Sequence, residues 1–381
     1  MGMQVGHIPA LTWNRLGVNY AQVNQDLTLN TKVETHFSEL GEEFVHTVMS
    51  QEKADAWLKD HAPEEKAESV TAGKTPLYHP QTFGTGLGAE YGEFIASSGT
   101  PVDFLEITKG TQQNRLLLWE IHYPDGSKSA TSQIIHVGEG AKVSILFVFR
   151  SPYGSTGLAG ISTRIVLDKG AELLLVKAQI LGENFLFFDD TGASLGEGAS
   201  LQMIQTELGA GEAYLGVQTE LIGDRSSFDA KASYLGVDKN EIDLNYNVVQ
   251  RGKKTNSSLQ FDGVLADESR KTFRGTIDFR KGSCGSKGTE KENVLLLSDD
   301  AVNKTLPIIL CEEEDMEGSH GATIGRLDDE ILFYFASRGI DEKEAEKMMV
   351  QARLCGSFSG IPDKDLYTEL SNAAEEAFGN E

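Results

Sequence analysis

His320 is the residue of this chain best placed to do chemistry. It is the only histidine in the C-terminal half and sits in the small-residue run Glu317-Gly318-Ser319-His320-Gly321-Ala322-Thr323-Ile324-Gly325-Arg326. Such neighbours predict a turn, where the backbone approaches closely and the ring stays accessible. A neutral imidazole there can bind a transition metal or carry protons near neutral pH. The competing role is a plain hydrogen bond to the backbone at a domain end. Three cysteines, Cys284, Cys311 and Cys355, complete the reactive inventory. Cys284 lies in Gly282-Ser283-Cys284-Gly285-Ser286, near Lys281 and Lys287, and is the best candidate for a reactive thiolate. Cys311 precedes Glu312-Glu313-Glu314-Asp315, whose charges disfavour a thiolate, so a buried or inert thiol is expected. Cys355 falls on the apolar side of a helical pattern and reads as core.

The remaining motifs fail on their spacing. Gly73-Lys74-Thr75 imitates a phosphate-binding loop, but Glu68 stands where that loop needs glycine. Gly84-x-Gly86-x-Gly88 lacks a strand before it and reads as a flexible loop. No His-x-x-x-His, Cys-x-x-Cys or Gly-x-Ser-x-Gly is present, and no pair of carboxylates stands out.

With 34 basic and 58 acidic residues among 381, the formal net charge of −24 disfavours nucleic acid and anionic lipid as partners. It suits docking to a basic protein face. Three scattered cysteines fit a reducing compartment. No apolar run of membrane-spanning length and no signal-peptide pattern is seen, so a cytoplasmic location is expected.

The elements that must position these residues fall into three regions, expected at 1–95, 96–318 and 319–381. The first reads as helical from Leu11 to Leu58, followed by a polar Pro/Gly linker from Lys59 to Gly88. In the middle region, apolar bursts end at Gly-acid-Gly turns: Gly138-Glu139-Gly140, Asp168-Lys169-Gly170, Gly196-Glu197-Gly198 and, weaker, Gly223-Asp224-Arg225. A recurrence of roughly 27–30 residues predicts stacked strand–turn–strand units, as a parallel β-helix. An antiparallel sandwich has similar turn signals, and period alone does not separate the two.

The last region predicts three helices. The first has Asp328 as N-cap, an Ile331, Leu332, Phe335, Ala336 face, and a stop at Arg338-Gly339. The second starts at Asp341 with a capping-box Glu344 and an Ala345, Met348, Met349, Ala352, Cys355 face. The third runs from Asp363 to Phe378 through Leu366, Leu370, Ala373, Ala374 and Ala377. Helices flanking a solenoid are expected to cap its open edges.

One block is specific. Ser319-His320-Gly321-Ala322-Thr323, Gly325-Arg326, Asp328, Phe333-Tyr334 and Ser337-Arg338-Gly339-Ile340 resemble the C-terminal segment of the SufB/SufD family of iron–sulfur cluster assembly proteins. Pro9-x-x-Thr12-Trp13-Asn14 is similar to the family's N-terminal region. Gly321 after the histidine, and Glu292 where SufB-type members carry a cysteine, match the SufD form. The resemblance implies a mainly β fold, a right-handed parallel β-helix between N- and C-terminal helical regions. It implies a non-enzymatic scaffold that pairs with a SufB-like subunit and binds SufC, an ABC-type ATPase, through the C-terminal helices; Phe335, Arg338, Met348 and Met349 are then candidate contacts. A homodimer in isolation is the alternative assembly. It further implies a nascent Fe–S cluster at the SufB-facing interface, with His320 the matching residue; Cys284 is kept as the second candidate. Flavin is associated with such complexes, and no residue here supports it. Two rival readings are a SufB-like scaffold carrying the cluster itself and a β-helix carbohydrate-active enzyme. The latter is disfavoured by sparse aromatics. A left-handed β-helix acyltransferase needs a shorter repeat.

Overall fold

The computed structural model describes residues 2–10, 16–30, 33, 35–61, 83–327, 329–358 and 360–379. The phosphate-loop imitation at Gly73, the residues Thr12, Trp13 and Asn14, the Asp328 cap and most of the linker lie outside these residues.

Four short strands open the chain: β1 (Met3–Val5), β2 (Ala21–Val23), β3 (Thr35–Phe37) and β4 (Phe44–Met49). Helices α1 (Gln51–His61) and α2 (Ala89–Ser97) follow. The solenoid consists of β5 (Val102–Ile107), β6 (Gln112–His122), β7 (Lys128–Val137), β8 (Lys142–Arg150), β9 (Thr156–Leu167), β10 (Glu172–Ile180), β11 (Asn184–Leu195) and β12 (Ser200–Glu207). It continues with β13 (Glu212–Leu221), β14 (Ser227–Gly236), β15 (Glu241–Gln250), β16 (Asn256–Leu265), β17 (Arg270–Phe279), β18 (Ser286–Leu296), β19 (Val302–Cys311) and β20 (Met316–Arg326). Helices α3 (Asp329–Ser337), α4 (Glu342–Phe358) and α5 (Lys364–Gly379) end the chain.

Even-numbered strands from β6 to β20 stack in one sheet and odd-numbered strands from β5 to β19 in the other. Every neighbouring pair within those two stacks is parallel. The result is a β-solenoid of about eight turns, and the sandwich alternative is excluded. The recurring glycines explain the corners. Gly140, Gly170 and Gly198 all take positive φ, at 66°, 65° and 66°, which glycine adopts without a steric penalty. Each donates its N–H one coil on: Gly140 to Lys169 O, Gly170 to Glu197 O and Gly198 to Asp224 O. Arg225 (φ 60°) and Lys254 (φ 56°) continue the same corner without glycine.

The two ends differ. At the first, β3 and β4 lie antiparallel on β6 and β5 and close both sheets, and α1 buries Ala54 and Leu58 against Val102, Phe104 and Ile134. Among the described residues, the helix expected across Leu11–Leu58 is therefore confined to Gln51–His61. Phe44-Val45-His46-Thr47-Val48-Met49 is β-branched enough to complete the backbone hydrogen bonds of β5. At the far end, β19 and β20 are edge strands with none beyond them among the described residues.

Two layers cover the outer faces. Val350, Leu354, Phe358, Leu366, Leu370 and Ala374 pack on Val176, Ile204, Leu235, Val264 and Leu295 of the even sheet. Helices α4 and α5 thus lie along a face instead of capping the open edge, because outward apolar residues there need cover. An Arg150–Glu369 ion pair adds a tie. On the odd sheet, Gly84-x-Gly86-x-Gly88, expected as a flexible loop, is pressed onto the strands. A Cβ on Gly86 would stand 1.9 Å from Val217 N, and one on Gly216 2.2 Å from Leu87 N. Leu87 N donates to Asp190 and Gly86 O accepts from Asn245. No described helix is long and apolar enough to cross a membrane.

Candidate functional site at the open end of the solenoid

His320 is in a strand, not a turn. The solenoid runs past Gly318 to Arg326, and His320 stands mid-way along β20, paired in register with Glu290 of β18. Gly318, Gly321 and Gly325 look like turn formers in isolation; here the ladder to β18 holds them extended. In β18 the residues Ser286, Gly288, Glu290, Glu292 and Val294 are buried towards the lumen. Their partners Met316, Gly318, His320, Ala322 and Ile324 therefore share the lumen face, but with no coil above them His320 is exposed.

Beneath it lies a polar cluster that sequence reasoning missed. Lys271 and Glu292 form an ion pair with both side chains buried. Thr305 Oγ1 donates to Glu292 Oε2 at 2.6 Å, and Tyr234 OH to Glu292 Oε1 at 3.2 Å. Lys271 Nζ also reaches Thr305 Oγ1 at 3.2 Å. Burial lowers the Lys271 ammonium, opposed by Glu292. Glu290 has neither ion pair nor hydrogen bond among the described residues; burial, then the charge of Glu292, push its carboxyl up to about 8. Glycines make the room. A Cβ at Gly275 would stand 2.1 Å from Glu290, and one at Gly263 2.1 Å from the Tyr234 ring. The signal in the sequence was the alternation Gly288, Glu290, Glu292, among acidic residues of which no pair stood out. A second lumenal cluster lies deeper. There Lys177 Nζ contacts Asp189 at 2.6 Å and Thr191 at 2.8 Å, and Gln205 bridges Asp189 and Glu207.

The cysteines do not converge on His320 by any contact described. Cys284 is exposed in the corner after β17, as expected, but its Sγ donates to Asp315 Oδ2 at 2.7 Å. That hydrogen bond, with the carboxylates of Asp315 and Glu313, pushes its thiol up, so it is not an activated thiolate. Lys287, expected to activate it, pairs with Glu317 at 2.9 Å. Cys311, expected buried or inert, is exposed at the end of β19; partial burial and Asp278 raise its thiol. Cys355 is half-buried, with Sγ 3.5 Å from Ser371 Oγ. No group of three or more His, Cys, Asp or Glu side chains suited to a metal ion occurs among the described residues.

The helices beyond β20 present apolar surface. In α3, Phe333 is 73% exposed and Tyr334 55%, while Phe335 is half-buried. The Arg338 guanidinium stacks 5.0 Å above the Tyr334 ring. Gly339 takes φ 79° and ends the helix as its position suggests. In α4 the Asp341 carboxylate caps Glu344 N at 2.9 Å. Its buried stripe is Ala345, Val350, Leu354 and Phe358, rotated from the expected face. Ala352 is exposed, Met348 is 42% exposed, and Met349 packs against the helix's own core.

Comparison with known proteins agrees with this geometry. A family model described as "SUF system FeS cluster assembly, SufBD core domain" matches residues 122–353, from the solenoid into α4. The chain belongs to the SufB/SufD family. It is 26% identical over 184 residues to an iron–sulfur cluster assembly protein SufD of Bacillus subtilis, covering 48% of this chain and 42% of that one. To the SufD of Escherichia coli it is 27% identical over 239 residues, 62% of this chain and 56% of the relative. A chloroplastic SufBD family protein of Arabidopsis thaliana is 25% identical over 240 residues, 61% of this chain and 43% of the relative. The chain thus spans about half the length of the curated SufB/SufD relatives it matches.

Proposed function

We propose that this chain is a non-catalytic scaffold subunit of a SUF-type iron–sulfur assembly complex. It pairs through the open end, β19 and β20, with a SufB-type subunit. Its α3 and α4 surface docks a SufC-type ATPase, which supplies the nucleotide chemistry, and His320 binds iron of the nascent cluster. The cluster is cargo of the complex, assembled at the junction. The observation that carries the reading is the asymmetry of the solenoid. One end finishes in short antiparallel strands, and the other presents a full-length edge strand, uncovered among the described residues, with an imidazole on its lumen face. Unpaired strand edges associate with other strands. Phe333, Tyr334, Arg338 and Met348 supply the apolar and cationic contacts that interfaces favour. Phe335 of α3 and Met349 of α4, both half-buried, are the remaining candidate contacts.

Co-purification of the tagged full chain with a SufB-type and a SufC-type protein tests it. Ile324→Lys on the edge strand should remove the SufB-type subunit and leave the ATPase bound. Retention of the SufB-type subunit by both Ile324→Lys and Gly321→Pro would assign the pairing surface elsewhere.

A further inference from the structure

We propose that Pro307 decides which edge of the open end takes a partner strand: the partner's strand adds to β20, in the even sheet, and β19 is barred from pairing. The proposal rests on the reading above that a SufB-type subunit docks at this end, and it names the strand that is extended there.

The ladder behind each edge strand fixes where its backbone groups point. Along a parallel strand the N–H and C=O of one residue face the same side, and successive residues alternate. Val302 N donates to Ser269 O at 2.9 Å and Glu312 N to Phe279 O at 2.8 Å. The register between β17 and β19 does not slip between those two points. The even-numbered residues of β19 therefore face β17, and Asn303, Thr305, Pro307, Ile309 and Cys311 face outward along the open edge. Proline carries no N–H, so this outward row lacks its middle donor. A strand laid across it would leave one carbonyl without a partner, which is costly wherever water is excluded. An outward position on an edge strand is one of the few places in a sheet that tolerates proline. Exposed Lys304 lies three residues before it, and lysine is a second device that keeps strand edges from pairing.

The other edge is continuous. Lys287 N donates to Thr255 O and Leu297 N to Leu265 O, both at 2.9 Å, so the odd-numbered residues of β18 face β16 and the even-numbered ones face β20. The register of β20 on β18 is unbroken from Met316 to Arg326. The odd-numbered residues of β20 thus bond to β18, and Gly318, His320, Ala322 and Ile324 turn their N–H and C=O outward. Each of these positions has its donor, and β20 contains neither proline nor lysine. An extended segment of a partner completes such a row by strand addition. It would lie about 4.8 Å beyond β20 and carry partner side chains into the lumen row that His320 ends.

The test is residue-resolved amide hydrogen exchange on the full chain, free and in its complex with a SufB-type and a SufC-type protein. Exchange at His320, Ala322 and Ile324 should slow by about tenfold or more on binding, because these amides enter a ladder. Exchange at Thr305, Ile309 and Cys311 should change by less than about twofold. Pro307→Thr restores the missing donor without touching the bonds to β17, since the N–H at this position points away from them. In the complex of that variant, Thr305 and Ile309 should gain protection as well. Protection of both strands in the wild-type complex would overturn the proposal and leave the docking end in place. Continued rapid exchange of β19 in the Pro307→Thr complex would also overturn it, since something other than Pro307 would then bar that edge. A complex that forms without protecting either strand would remove the docking end itself, and the proposal with it.

Discussion

Tyr234 reaches across two coils of the solenoid to place its hydroxyl 3.2 Å from Glu292 Oε1. The strand between them carries Gly263 at the register position directly above Tyr234, and the ring occupies the space a side chain there would take. One glycine thus lets an aromatic side chain of β14 satisfy a buried carboxylate of β18.

Gly263→Ala should therefore cost about 1–3 kcal/mol, the usual penalty for overpacking a tight interior. A Cβ there would stand 2.1 Å from the ring. Urea denaturation measures it. Gly321→Ala is the control: a Cβ at Gly321 meets nothing within 4 Å, so its midpoint should move by less than about 0.5 kcal/mol.

His320→Ala should leave the melting temperature close to the wild type, since an exposed edge residue contributes little packing. In the reconstituted complex it should sharply reduce cluster formation. Cys284→Ser should have a much smaller effect, because its thiol donates to Asp315 and its pKa is raised. Wild-type assembly by His320→Ala together with loss in Cys284→Ser would transfer the role to Cys284.

Phe333→Glu and Met348→Glu should abolish co-purification with the ATPase while circular dichroism stays unchanged, since both side chains are exposed. Leu354→Glu, six residues along the same helix and fully buried, should lose the fold as well. Full ATPase binding by both exposed variants would place its site off α3 and α4.

Asp278 supplies a pH test. Burial raises its carboxyl from 3.8 to about 6, with Arg280 opposing. The folded chain then binds more protons than the unfolded chain between those values. Stability from this group accordingly falls as pH rises from about 4 to about 6 and is level above, by at most about 3 kcal/mol. Asp278→Asn should flatten that part of the profile of urea midpoints between pH 4 and pH 7. An identical slope in the wild type and Asp278→Asn would show that Asp278 titrates normally.

The sequence by itself determined the repeating corner, since a left-handed backbone closes it and Gly140, Gly170 and Gly198 mark it in three successive coils. It also determined the C-terminal helices, with the Asp341 cap of α4, and the family, which rest on local spacing and on a contiguous block. Tertiary structure alone decided the strand at Phe44–Met49, whose six residues are too few for a period and which exists only against β5. It also decided that His320 lies in a strand, because Gly318, Gly321 and Gly325 are held extended by β18. The same holds for the lumenal Lys271, Glu290 and Glu292, since alternation reveals two faces of a strand but not which one is inside. Cys284 shows the physical reason most directly. Lys281 and Lys287 are its neighbours along the chain, yet Asp315, 31 residues away, takes its proton-donor side. In a solenoid the closest chemical neighbour belongs to the next coil, and only stacking brings it there.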